Sequence, residues 1–170
     1  MIEQIKHIFG DRNCIEKLRS GNYFVYELKN NDKVFLSYLT ENPKADFRVN
    51  NQNSNAYFLS VDGCITFPEG KKKCDFATWN DTNFYFVEIK QINKIKSKKN
   101  NKKKAIQQLF DTITVFQENK INYYNRTLSA IISWGFKFSG EVITTTMQSR
   151  EIEFKQKFNV NLLEGNQLTL

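Results

Sequence analysis

The chain has 170 residues and a mass of 20.0 kDa, with 40% hydrophobic and 25% charged residues and a net charge of +7. This length suits one domain spanning residues 1–170, and fifteen Phe with seven Tyr point to a well-packed, strand-rich α/β protein and exclude a disordered chain. No apolar run approaches the length of a membrane span and residues 1–6 lack the pattern of a signal peptide, so a soluble, cytoplasmic protein with no membrane partner is expected.

Taken in order, Ile2, Ile5 and Phe9 stand at helical spacing, and Ile15 and Leu18 suggest a second short helical segment covering the sheet. His7 is the only histidine, which leaves no material for a Ser-His-Asp triad or a histidine metal site. Two antiparallel strands are expected at 22–28 and 33–39, followed by a polar loop over 40–55 and a strand over 56–67 that carries Asp62. Val61, Asp62 and Gly63 suggest a bend or bulge. Cys14, Cys64 and Cys74 are odd in number and form no Cys-x-x-Cys pair, so buried thiols are expected rather than a disulfide framework or a zinc site. Beyond a lysine-rich loop, Ile106, Leu109, Ile113 and Phe116 form one stripe of a helix over 105–116. A buried strand over 127–134 follows, parallel to the strand before that helix, and then a helix over 148–157 and two short strands. No internal repeat, second domain or glycine-rich phosphate loop is visible.

The chemistry is concentrated between Lys73 and Lys90. Asn80, Asp81 and Thr82 are turn formers flanked by apolar, β-favouring residues, which predicts a hairpin with strands over 73–79 and 83–90. Alternate residues of a strand share a face, so Glu88 and Lys90 point the same way, and Asp75 on the partner strand can lie beside them. Charged groups inside a run as apolar as Phe84 to Val87 need compensation for their desolvation. Paired carboxylates suit a hard divalent cation, and a neighbouring lysine can hold or activate a water; the plainer alternative is a cross-strand ion pair at a sheet edge. Glu-x-Lys also begins at Glu27, Glu69, Glu118 and Glu153, but only the copy at Glu88 follows an Asp-bearing strand and precedes a helix.

Asp75, with Glu88, Ile89 and Lys90 on the next strand, resembles the core motif of the PD-(D/E)XK nuclease superfamily, with Cys74 in place of the proline. The resemblance covers roughly residues 56–118. It implies a restriction-endonuclease-like core, a central mixed β-sheet flanked by α-helices on both faces. It also implies Mg²⁺- or Mn²⁺-dependent hydrolysis of phosphodiester bonds that leaves a 5′-phosphate. Asp75, Glu88 and the carbonyl of Ile89 would then bind the metal, and Lys90 would hold or activate the water. Gln108, or failing that Gln107, would assist from the following helix, and Glu3 or Glu16 would supply the acidic residue that such enzymes often take from an N-terminal helix. Asp62 is the rival of Asp75 for the first acidic position.

Between Lys71 and Lys104 eleven lysines face Asp75, Asp81 and Glu88, a local excess of +8 against +7 for the whole chain. Lys94, Lys96, Lys98, Lys99, Lys102, Lys103 and Lys104 are therefore expected to contact nucleic acid, DNA in preference to RNA, unless the run is merely solvated. Three functional expectations follow: a nuclease; a catalytically silent nucleic-acid-binding or scaffold subunit of the same fold; or an effector, as in antiviral defence, that works as a homodimer or awaits a larger activating partner.

Overall fold

The computed structural model describes residues 1–10, 13–28, 33–37, 45–91, 98–135, 143–144 and 148–170. Helix α1 (Ile2–Phe9) forms where expected and buries Ile5 and Phe9. The segment after it is a strand, β1 (Ile15–Leu18), that pairs antiparallel with β5 (Ala56–Ser60). Four residues are too few for the spacing of Ile15 and Leu18 to separate helix from strand, and pairing with β5 decides it. Strands β2 (Gly21–Leu28) and β3 (Lys33–Ser37) pair antiparallel as expected, with residues 38–39 of the predicted strand outside the described residues. The region expected to be a polar loop contains β4 (Phe47–Asn51), whose Phe47, Val49 and Asn51 are buried while Arg48 is exposed. The strand predicted over 56–67 stops at Ser60, because the chain turns at Asp62 to Cys64.

The predicted hairpin is present as β6 (Phe76–Trp79) and β7 (Asn83–Ile89). The Asn80 side chain closes its turn by accepting hydrogen bonds from the amides of Thr82 (2.9 Å) and Asn83 (2.8 Å). Helix α2 (Lys98–Glu118) then leads to β8 (Thr127–Ser133), which runs parallel to β7. The helix begins seven residues before Ala105, inside the lysine run, so Lys98 to Lys104 are helical rather than part of a loop. A short β9 (Ile143–Thr144) and α3 (Gln148–Phe158) precede β10 (Val160–Glu164), parallel to β8, and β11 (Gln167–Thr169), parallel to β4.

Two sheets result: one ordered β1-β5-β6-β7-β8-β10-β9, the other β11-β4-β2-β3. The expectation of an α/β protein with a central mixed sheet holds, but among the described residues the helices lie on one face and not on both. Side chains of α1, α2 and α3 share one core with Trp79, Phe84, Phe86 and Ile132 of the large sheet. The opposite face, with Phe58, Phe76, Val87 and Ile131, packs on Tyr23, Val25, Phe47 and Val49 of the smaller sheet. The connection explains this arrangement. Both parallel steps, β7 to β8 through α2 and β8 to β10 through α3, move the same way across the sheet, and right-handed crossovers then put both helices on one side. Aromatic rings fill that side: Trp79 stacks on its cross-strand neighbour Phe84 at 5.2 Å, and Phe86 meets Phe116 of α2 edge-on at 5.3 Å.

Cys14 and Cys64 are joined in a disulfide with Cα atoms 5.8 Å apart, which corrects the expectation of free thiols for these two; Cys74 alone is a buried thiol. The bond closes a sequence separation of 50 residues. Loop entropy for such a closure predicts that Cys14→Ser/Cys64→Ser, or reduction of the native protein, lowers unfolding free energy by about 4 kcal/mol. Urea unfolding with and without reductant measures it, and coincident curves would contradict the crosslink.

Candidate active site

Strand β7 is fourth of the seven strands, so Glu88 and Lys90 do not form an edge ion pair. Phe84, Phe86 and Glu88 point to the helices, whereas Val87 and Ile89 point to the second sheet. The β6–β7 register pairs Phe76 with Val87, and one step further it sets Asp75 opposite Glu88 on the helix-facing side. At that step the ladder changes. The Asp75 amide donates to the Val87 carbonyl at 3.1 Å, and the Ile89 amide donates to Asp75 Oδ2. On its other edge, the Asp75 carbonyl accepts the amides of both Val61 (3.0 Å) and Asp62 (3.2 Å), two residues against one, as in the bulge expected there.

Both carboxylates are withdrawn from solvent, Asp75 at 6% exposure and Glu88 at 0%. Opposed side chains on neighbouring strands have Cβ atoms about 5 Å apart. Lys90 lies one side chain outward from Glu88 on the same face, and its Nζ is ion-paired with Glu88 Oε1. The structure thus brings together Asp75, Glu88, Ile89 and Lys90 as expected. Asp62 sits outside this pocket, in the turn after β5. Its carboxylate accepts the Gly63 amide at 2.9 Å and stands 3.8 Å from Lys73 Nζ. Glu3 is exposed on α1, and Glu16 is exposed on β1, whose pairing with Phe58 puts it on the side of the sheet opposite Glu88, so neither joins the site.

Helix α2 holds the approach to Asp75 through three side chains. Gln108 Nε2 donates to the Lys73 carbonyl at 2.8 Å, Asp111 Oδ2 accepts the Lys72 amide at 3.2 Å, and Thr112 Oγ1 accepts the Cys74 amide at 2.8 Å. Gln108 is therefore beside the site, with its amide nitrogen engaged by backbone, while Gln107 bonds Asp111 at 3.0 Å. Asp111 and Thr112 escape a sequence reading. Their only signal is that they lie three and four residues beyond Gln108, on the same side of the helix. Burial pushes the Cys74 thiol well up, and the charges of Glu88 and Asp75 add to the effect.

The parallel strands β7, β8 and β10 end together, since Ile89 pairs with Ser133 and Ile132 pairs with both Glu88 and Glu164. The carboxyl ends of parallel strands are where open α/β sheets bind ligands. Glu164, on the same face and two strands from Glu88, is ion-paired with Lys102 and accepts Trp134 Nε1 at 2.8 Å. Lys102 thus anchors the start of α2 to the sheet end. Of the other lysines expected to meet nucleic acid, Lys103 and Lys104 are exposed on α2, Lys98 and Lys99 lie on its first turn, and Lys94 and Lys96 fall outside the described residues.

No protein-family model, curated protein or solved structure matches the chain. Among the described residues no helix is long and apolar enough to cross a membrane.

Two measurements check this geometry. Thr112→Val strands the buried Cys74 amide and lowers unfolding free energy by about 1–3 kcal/mol; a change within error would mean that Thr112 does not carry that bond. Because the Cys74 pKa is raised, its neutral thiol persists at pH 9, and native protein treated there with iodoacetamide reacts at Cys74 far more slowly than unfolded protein. Equal rates would place the thiol in solvent.

Proposed function

We propose that the chain is a nuclease of the PD-(D/E)XK type, hydrolysing phosphodiester bonds of nucleic acid, DNA first among them. The observation that carries this reading is the side-by-side burial of Asp75 and Glu88, with Lys90 just outside them, on the central strands of a mixed sheet. Two carboxylates brought together out of water repel each other, and a divalent cation between them offsets that cost. The donor chemistry fits Mg²⁺ or Mn²⁺. Among the described residues no group of three or more His, Cys, Asp or Glu is placed to hold a metal ion, so the ion would rest on two carboxylates. Mg²⁺ is commonly held by one or two carboxylates together with substrate phosphate. Asp75 and Glu88 would hold the ion, with the Ile89 carbonyl as the expected third oxygen. Bound there, it would supply Lewis-acid polarisation of the scissile phosphate.

The chain's own groups supply the rest. The Lys90 ammonium donates hydrogen bonds to the attacking water and offsets charge on the phosphoryl oxygens as water attacks phosphorus. The P–O3′ bond breaks, the attacking water gives up a proton to solvent, the departing 3′-oxygen takes one from solvent, and the attacking oxygen remains on the 5′-phosphate. Gln108 acts as a positioning residue, holding the Lys73 carbonyl and through it the segment that presents Asp75. The ion pair of Lys90 with Glu88 also suits a silent binding or scaffold subunit, since it satisfies a buried carboxylate without chemistry.

Incubation of the purified protein with Mg²⁺ or Mn²⁺ and single- and double-stranded DNA and RNA separates the two readings. Cleavage supports the nuclease, whereas binding without cleavage of any substrate supports the silent subunit. Glu88→Ala should lower cleavage by at least about 100-fold while the far-UV circular dichroism is retained. Lys90→Ala should be comparably slow yet still bind Mn²⁺ in a calorimeter, and loss of metal binding there would make Lys90 structural. Asp75→Asn should cost far more activity than Asp62→Asn; the reverse order would move the site to the turn after β5.

A further inference from the structure

The lysine run is one block in sequence, but α2 points its members in different directions. At about 100° per residue, Lys104 stands one turn before Gln108 and on nearly the same side, the side that holds the Lys73 carbonyl. Lys103 is turned about 140° from Gln108, away from that segment. Lys102 turns inward to Glu164. The hairpin adds a second cation from a part of the chain outside the run. Lys73 lies two residues before Asp75 in the segment that Gln108 holds, with its Nζ 3.8 Å from Asp62. Lys73 and Lys104 therefore both stand by the segment that leads to Asp75, one in it and one a helical turn from the Gln108 that holds it. The 3.8 Å approach of Lys73 to a one-third-exposed Asp62 is a weak, solvent-screened contact that a phosphate can displace.

Resting on the nuclease reading, we propose that Lys73 and Lys104 together form the clamp for the nucleic-acid backbone phosphates next to the scissile one, and that Lys102 and Lys103 take no part in it. The clamp recognises phosphate and not base, so it acts alike on all sequences. Its position beside Asp75 also gives the bound strand a direction across the site, because Lys90 lies on the Glu88 side.

The test compares two variants of equal charge. Lys73→Gln/Lys104→Gln removes the clamp, whereas Lys103→Gln/Lys120→Gln removes two exposed lysines, one turned away and one in the turn past the far end of a helix about 30 Å long. Binding to a labelled DNA is measured across a salt series with Ca²⁺ in place of Mg²⁺, after thermal melting shows both variants folded. The clamp variant should lose about 1.4–1.8 units from the slope of log affinity against log salt, while the control keeps the wild-type slope. Lys73→Arg/Lys104→Arg should retain binding. Equal losses in both glutamine variants would show diffuse attraction and overturn the clamp, as would no loss in either. Absence of salt-dependent binding by the wild-type protein would instead remove the nuclease reading on which the clamp rests.

Discussion

The constraint on which the rest of the structure depends is that Asp75, just before β6, and Glu88, in β7, are buried together at the centre of the large sheet. Carboxylates in such a place must be held by hydrogen bonds, a cation, or both. The Ile89 amide bonds Asp75 and the Lys90 ammonium meets Glu88, so Glu-Ile-Lys supplies both from consecutive residues of one strand. This arrangement works only because β6 leaves the ladder at Asp75. A regular strand would turn the Ile89 amide to a backbone carbonyl, whereas here the side chain of Asp75 takes it. The bulge at Val61 and Asp62 and the three α2 side chains on residues 72–74 then hold the departing segment from either side.

The hairpin and its parallel partner were legible because several signals agreed. Turn formers at Asn80–Thr82, alternation in β7, a helical stripe after it and a buried strand after that permit few topologies. The second sheet was hidden because its strand β4 alternates Phe47, Val49 and Asn51 inward within an Asn-rich stretch, where composition suggested a loop. Asn51 is buried as a turn-former, its amide bonded to the carbonyls of Arg19 and Asn53, so its polarity was no guide to its exposure. The family resemblance implies helices on the second face of the large sheet, which the sheet containing β4 covers instead.

Charge misled in a different way. A lysine run reads as a solvated loop, and a basic first turn does oppose the helix dipole, yet residues 98–104 are helical. The Lys102–Glu164 ion pair, only 12% and 15% exposed, and its Trp134 neighbour offset that cost by tying the helix start to the end of β10. Glu164 is remote from Lys102 in sequence, and such a contact leaves no local trace. A run that looks uniform on paper is thereby sorted into an inward anchor, a residue beside the site and a residue facing away.

The Cys14–Cys64 bond links this architecture to the conditions under which it can persist. It joins the residue before β1 to the turn that follows the bulge, and the Cys14 carbonyl accepts the Ser60 amide at 3.0 Å. The same short segment, Val61 and Asp62, donates to the Asp75 carbonyl. The crosslink is therefore two residues from a group that positions a site carboxylate, and its stabilisation acts where the outer strands meet the centre. Disulfides are rare in reducing compartments, so the bond sits uneasily with the cytoplasmic location expected from sequence. In a reducing setting the bulge would rely on its hydrogen bonds and on the packing of Val61, Ile65 and Cys74 in the helix-side core. The position of Asp75, more than that of Glu88 in the middle of the sheet, would feel the difference.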